Sequence, residues 1–303
     1  VLYGIAAAIL FGINASTTKV IITAGVTPEQ VVLFRSFSAG LVAFIWALWA
    51  NRAALKVPAR LIPRLVIMGI IGVGLLQWNY SQAVYYLPIG IALLLEYTAV
   101  LWVPLIAMLI FREKVNSKIW LGAVLVLGGL AIVAQIWATD LNPVGIFFGF
   151  AASASLTVHF IMGERVQRYL PTNVVMTYGM GVATLFFLPF SNLGQFDFSS
   201  LGAATDLSGN LAGIEVPLWF ALLFMGLFGS FAPMALVYLS LRHLSATLVG
   251  VVATSETVLA ALFALIWLGE KLSFTQVLGS IVVLTGILIA QTARKQQAVK
   301  VVD

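Results

Sequence analysis

The sequence contains no cysteine, only 2 histidines and 9% charged residues. Without thiols there is neither a disulfide framework nor a thiolate metal site. Soluble domains carry about 25% charge, so a chain with 61% apolar residues and a mean hydropathy of +1.06 does not read as one. All four aspartates, Asp140, Asp197, Asp206 and Asp303, fall outside the long apolar runs, leaving no intramembrane aspartate pair. No His-Glu-x-x-His, Gly-x-Ser-x-Gly or nucleotide-binding Gly-Lys-Ser/Thr motif occurs. These absences argue against enzyme chemistry, a resident cofactor or metal, and direct coupling to ATP.

What is present is apolar length. Ten runs reach the roughly 20 helical residues that a hydrocarbon core requires: 2–23, 29–50, 64–86, 88–111, 118–137, 143–163, 172–192, 216–240, 245–268 and 273–292. Barrel strands would alternate over about 10 residues, whereas these runs are continuous and rich in Ala, Leu and Gly. The expected fold is therefore all-α, a polytopic membrane protein of ten transmembrane helices. The first run has no basic leader and no small-residue cleavage site, and is read as a true span of a trimmed chain.

Basic residues set the expected orientation. With the N-terminus cytoplasmic, the inside segments hold Arg52, Lys56, Arg60, Arg64, Arg112, Lys114, Lys118, Arg165, Arg168, Arg242, Arg294, Lys295 and Lys300, and the outside segments only Lys271. That bias places both termini in the cytoplasm of a bacterial inner-membrane protein. The net charge of +5 is thus a topology signal, and nucleic acid is not an expected partner. The longest connection, from Leu193 to Glu215, carries acids and no Lys or Arg, as an external loop should.

The chain also repeats itself. A shift of 157 residues places Glu113-Lys114 on Glu270-Lys271, Leu121-Gly122 on Leu278-Gly279, Val126-Leu127 on Val283-Leu284 and Gly129 on Gly286. A shift of 141 superposes Gly4, Ala8, Gly12 and Ser16 on Gly145, Gly149, Ser153 and Thr157, stripes that let helix backbones approach closely. Each unit holds five runs, an odd number, so the two enter the membrane from opposite sides. The expected partition is residues 1–137, 143–292 and a cytoplasmic tail at 293–303. Inverted repeats are a recurring transporter architecture, with the site at the midplane between them.

The stretch Glu270-Lys271-Leu272-Ser273 with Gln276, Leu278-Gly279, Val283-Leu284 and Gly286 resembles the end of an EamA domain of the drug/metabolite transporter superfamily. Leu33-Phe34-Arg35-Ser36-Phe37 with Ala39, and Leu244-Ser245-Ala246 leading to Ser255-Glu256, resemble it too. The first unit departs from the pattern at Arg112 and lacks a Glu-Pro pair in its fourth run. The resemblance implies two EamA units forming a ten-helix exporter of small organic metabolites, its cavity lined mainly by helices 1, 3, 4, 6, 8 and 9. Within the family the chain looks most like the aromatic amino acid exporters of the YddG type.

Candidate site residues follow from polarity inside the runs. At 100° per residue, Trp78, Asn79, Gln82 and Tyr85 share one half of the third helix with Ser81 and Tyr86, offering amides and flat rings to a ligand. The plainer alternatives are interhelical hydrogen bonds and an interfacial aromatic belt. Glu96 and Glu256 stand in the fourth and ninth runs, where an ionised carboxylate costs about 2.5–3.5 kcal/mol on insertion scales. A direct substrate or proton role competes with a structural one for both. Trp102 lies about 120° round the fourth helix from Glu96. His159, in the sixth run, is a candidate ligand or a packing residue. Lys19 and Arg35 are close enough to the outer surface to snorkel or to bind carbonyl groups. The resulting expectation is an exporter of small amphiphilic metabolites, including aromatic amino acids, with a small-molecule substrate and the lipid bilayer as partners. The alternative is another cargo of the superfamily, such as nucleotide sugars, phosphorylated sugars or drugs; phosphorylated cargo calls for more cavity cations than Lys19 and Arg35 supply. No oligomeric state is assigned.

Overall fold

The computed structural model describes residues 2–87, 89–112, 114–137, 141–268 and 273–299. Of the residues used above, Val1, Glu113, Asp140, Glu270, Lys271, Leu272, Lys300 and Asp303 lie outside the described residues. The chain is nearly all helical: α1 (Leu2–Thr23), α2 (Pro28–Ala50), α3 (Ala59–Tyr86), α4 (Ile89–Leu109), α5 (Ser117–Ala134), α6 (Pro143–Gln167), α7 (Thr172–Phe187), α8 (Leu218–Leu241), α9 (Ala246–Leu268, interrupted at Thr254) and α10 (Phe274–Val299). Eight of these helices are long and apolar enough to cross a membrane; the apolar stretches of α7 and α10, 172–187 and 274–290, are shorter. The protein is therefore a multi-pass membrane protein.

Local chemistry sets the helix ends. Thr27 and Gln30 form a reciprocal capping box at the start of α2, with Pro28 supplying a preset φ in the first turn. Asn116, Asn142 and Ser245 cap α5, α6 and α9 with side-chain oxygens. α7 stops at Phe187, short of the apolar run that continues to residue 192, because Pro189 has no N–H to donate and the chain turns there. The connection after it contains a two-stranded antiparallel ladder, β1 (Ala204–Asp206) with β2 (Glu215–Pro217), a departure from the purely helical expectation. Asp206 organises that hairpin: Oδ2 accepts the Gly213 N–H at 2.7 Å and Oδ1 the Ser208 N–H at 2.6 Å. These two bonds hold the carboxyl below its usual pKa. Asn210 Nδ2 donates to Ile266 O at 3.0 Å and Trp267 Nε1 to Leu207 O at 2.9 Å, pinning the loop to the end of α9.

Four interruptions, in α3, α4, α8 and α9, occupy related places. α3 widens to π-helical geometry over Met68–Leu75 and α8 over Leu227–Phe231. α4 breaks at Tyr97 and Thr98; α9 breaks at Thr254, the residue 157 positions after Tyr97. The hydroxyls match as well. Thr98 Oγ1 donates to Leu95 O at 2.6 Å, and Ser255 Oγ to Val252 O at 2.7 Å, the same bond one repeat later. Such back-bonding competes with the helical ladder and bends the helix.

Packing joins the two halves. α5 lies antiparallel on α10, with Gly122 against Gly286 and Ala290, and Gly129 against Gly279 and Val283. α2 lies on α7, where Gly40 meets Met180 and Gly181. α1 packs on α8 and α9, while α6 packs on α3 and α4. The small-residue stripes sit in these seams: Gly12 against Leu259 and Ala260, Gly149 against Leu95.

Candidate functional site

Both helix breaks border one chamber of about 80 Å³, lined from α1, α2, α3, α4, α6, α8 and α9. Its guanidinium and carboxyl groups are those of Arg35, Glu96 and Glu256. Arg35 is only 4% exposed. Its Nε donates to Ser230 Oγ at 2.8 Å and its Nη2 to Gly229 O at 3.1 Å. The local sequence explains why that carbonyl is available: Pro233, four residues on, has no N–H to fill it. Arg35 thus takes the carbonyl-binding option and points inward, where snorkelling to the surface was the other expectation.

The two acids are held differently. Tyr97 Oη donates to Glu256 Oε2 at 2.5 Å, bridging α4 and α9 across their breaks. Among the described residues, the Glu96 carboxylate has no hydrogen-bond partner and neither acid forms an ion pair with Arg35. Asn14 Oδ1 and both amide atoms of Gln77 are buried on the chamber wall without partners. Buried polar atoms are ordinarily satisfied, so this wall has unused capacity for a ligand or water. It combines a guanidinium, two carboxylates and two amides with the rings of Phe11, Tyr80 and Phe160.

His159, 2% exposed, also lines the chamber. Its Nδ1–H donates to Gly72 O in the π segment at 2.8 Å, and its ring tilts against Tyr238 with centroids 5.1 Å apart. The remaining candidates lie elsewhere. A larger vestibule of about 850 Å³ opens at the end carrying residues 24–30 and 186–200, and Trp78 lines it. Trp78 Nε1 donates to Glu29 Oε1 at 2.9 Å, and Gln82 Nε2 donates to the same oxygen at 3.2 Å. Asn79 Nδ2 reaches Ser155 Oγ at 3.4 Å in the seam between α3 and α6. Tyr85 is 67% exposed near the end of α3, and Trp102 is 46% exposed on α4, outside both the chamber and the vestibule. The larger opening is thus not where most of the ionisable groups converge, and it is the chamber whose chemistry suits a small charged ligand.

The sequence reading did not single out Tyr97, Tyr80, Gln77 or Glu29. Tyr97 was within reach, since it adjoins Glu96 and aligns with Thr254 under the 157 shift. Gln77 and Tyr80 lie on the face of α3 opposite Trp78 and Gln82, and the reading by polarity chose the Trp78 face.

Comparison with known proteins matches this architecture. The model of the EamA-like transporter family matches residues 1–135 and 143–292. A protein of Archaeoglobus fulgidus described as an uncharacterized transporter is 23% identical over 212 residues, covering 70% of this chain and 70% of its own. The Bacillus subtilis uncharacterized transporter YdfC is 23% identical over 273 residues, covering 87% of this chain and 81% of its own. A solved crystal structure with 19% sequence identity superposes with a TM-score of 0.76 over 98% of this chain and 97% of that one, a likeness of fold. With two matched units spanning most of its length, the chain belongs to the EamA-like transporter family and is a membrane transporter of small molecules, not an enzyme.

Proposed function

We propose that the protein exports small zwitterionic amphiphiles, amino acids including aromatic ones, across a bacterial cytoplasmic membrane by alternating access. One observation carries this reading: the breaks of α4 and α9 converge on a single chamber with a buried guanidinium, two carboxylates and unpartnered amides. A substrate carboxylate would take Arg35 and Gln77, and its ammonium group Glu96, the acid left without a partner. Phe11, Tyr80 and Phe160 would face the side chain. Phosphorylated cargo fits less well, because one guanidinium is outnumbered by two carboxylates on the wall.

In this reading the chain crosses the membrane ten times, as two inverted five-helix halves. The antiparallel glycine seam between α5 and α10 supports it, since each glycine faces the repeat-equivalent of the other. α7 and α10 cross despite their length by local thinning of the bilayer. Both termini are cytoplasmic and the vestibule end is external in this reading, which the distribution of Lys and Arg supports. The chamber is narrow, about 80 Å³, and alternating access would have the halves part to admit cargo. Tyr97–Glu256 and Arg35–Ser230 each join one half to the other and would break and re-form as the halves rock.

Proteoliposomes loaded in turn with radiolabelled phenylalanine, alanine and a nucleotide sugar test the proposal. Phenylalanine and alanine should leave and the nucleotide sugar stay. Glu96→Gln should lower amino acid flux at equal protein content. Efflux of the nucleotide sugar alone would replace this reading with the phosphorylated-cargo one.

A further inference from the structure

We propose that the 850 Å³ vestibule is a second binding site, selective for an aromatic or quaternary organic cation and separate from the chamber. Its size falls within the roughly 300–1,000 Å³ range of drug-sized sites. Its walls are ring-rich: Phe187 lies 6.4 Å from Trp78 and 6.3 Å from Phe190, centroid to centroid, and Phe186 lies 5.5 Å from Phe190. The indole is fixed at its edge, because Nε1 is tied to Glu29. That bond leaves Glu29 Oε2 without a hydrogen-bond partner among the described residues. A charge-bearing wall thus adjoins aromatic side chains, the combination that recognises organic ammonium groups.

The sign of the charge gives selectivity. Glu29 and Asp197 line the vestibule, and no Lys, Arg or His is among its lining residues. Asp197 stays ionised, because the Ser199 hydroxyl and N–H both donate to its Oδ1, at 2.6 and 2.9 Å, and hold its pKa below the usual range. A zwitterion would bring its carboxylate to a wall with no cation to receive it. The chamber, with Arg35, has one. The two spaces therefore differ in the charge type that they accept, and this inference does not depend on which cargo the chamber carries.

Equilibrium binding of radiolabelled tetraphenylphosphonium to the purified full chain in nonionic detergent tests this. Unlabelled benzyltrimethylammonium should displace the probe, and its uncharged isostere neopentylbenzene should do so at least about tenfold less well, the effect of about 1.4 kcal/mol. Glu29→Gln should weaken probe binding about tenfold and Phe190→Ala several-fold, while Glu96→Gln leaves it unchanged. The proposal is overturned if neopentylbenzene competes as well as the cation. Loss of binding in Glu96→Gln with retention in folded Glu29→Gln would overturn it too, by placing the cation in the chamber. The competition arm uses unaltered protein, so a folding defect in a variant does not decide the outcome.

Discussion

Replacing Gly129 or its neighbour Gly128 by Ala separates close helix packing from helix propensity. A Cβ at residue 129 would lie 2.7 Å from the Val283 backbone N and 2.8 Å from Gly279 O. Those are backbone atoms, so α5 and α10 would have to separate. A Cβ at residue 128 meets nothing within 4 Å. Both variants gain the same propensity, about 0.5–1 kcal/mol for Gly→Ala in a helix. That gain cancels between them and leaves overpacking, typically about 1–3 kcal/mol. Thermal unfolding of the purified proteins in one detergent should rank Gly128→Ala at or above the unsubstituted chain and Gly129→Ala below it. Equal midpoints for the two variants would refute the glycine seam.

Other outcomes follow from single contacts. Tyr97→Phe removes the donor to Glu256, a side-chain hydrogen bond worth about 0.5–1.5 kcal/mol; in a double-mutant cycle with Glu256→Gln, additive destabilisation would show that the two side chains do not interact. Asp206 has a lowered pKa, so its support of the hairpin is complete above the unfolded carboxylate range and is lost only as the pH falls through the lower folded value. Hydrogen exchange at Ser208 and Gly213 should accordingly show no added opening between pH 5 and 8, and Asp206→Asn, which retains one acceptor oxygen of two, should speed it at neutral pH. In this cysteine-free chain, Ser208→Cys should react with an impermeant maleimide on intact cells and Ser117→Cys should not; the reverse pattern would invert the orientation.

Much of the fold was legible because lipid imposes length and the repeat imposes register. The 157 shift, read from Gly122 and Gly129, matches the places where α4 and α9 break, although the breaks themselves were not foreseen. Back-bonding by Thr98, Thr254 and Ser255 accompanies them, and those residues look ordinary in an apolar run. The site was less legible. Trp78, Asn79, Gln82 and Tyr85 share the regular helical stretch Leu76–Tyr86 with Gln77 and Tyr80, so 100° per residue sorts their faces but not what each face meets. Trp78 and Gln82 meet Glu29 at the vestibule, and Gln77 and Tyr80 face the chamber, because of neighbours that are distant in sequence. Arg35 binds a carbonyl that Pro233 leaves free nearly two hundred positions away, a pairing that no local pattern encodes.

Substrate protection at a single thiol tests most directly whether the chamber is the transport site. Ala253 lines it, at the repeat position of Glu96, and the chain has no other cysteine. In proteoliposomes of Ala253→Cys that still exchange phenylalanine, saturating phenylalanine should slow maleimide labelling several-fold, with no change for Ser208→Cys on the exposed hairpin. An unchanged labelling rate at residue 253 during active exchange would place the substrate elsewhere and contradict the account.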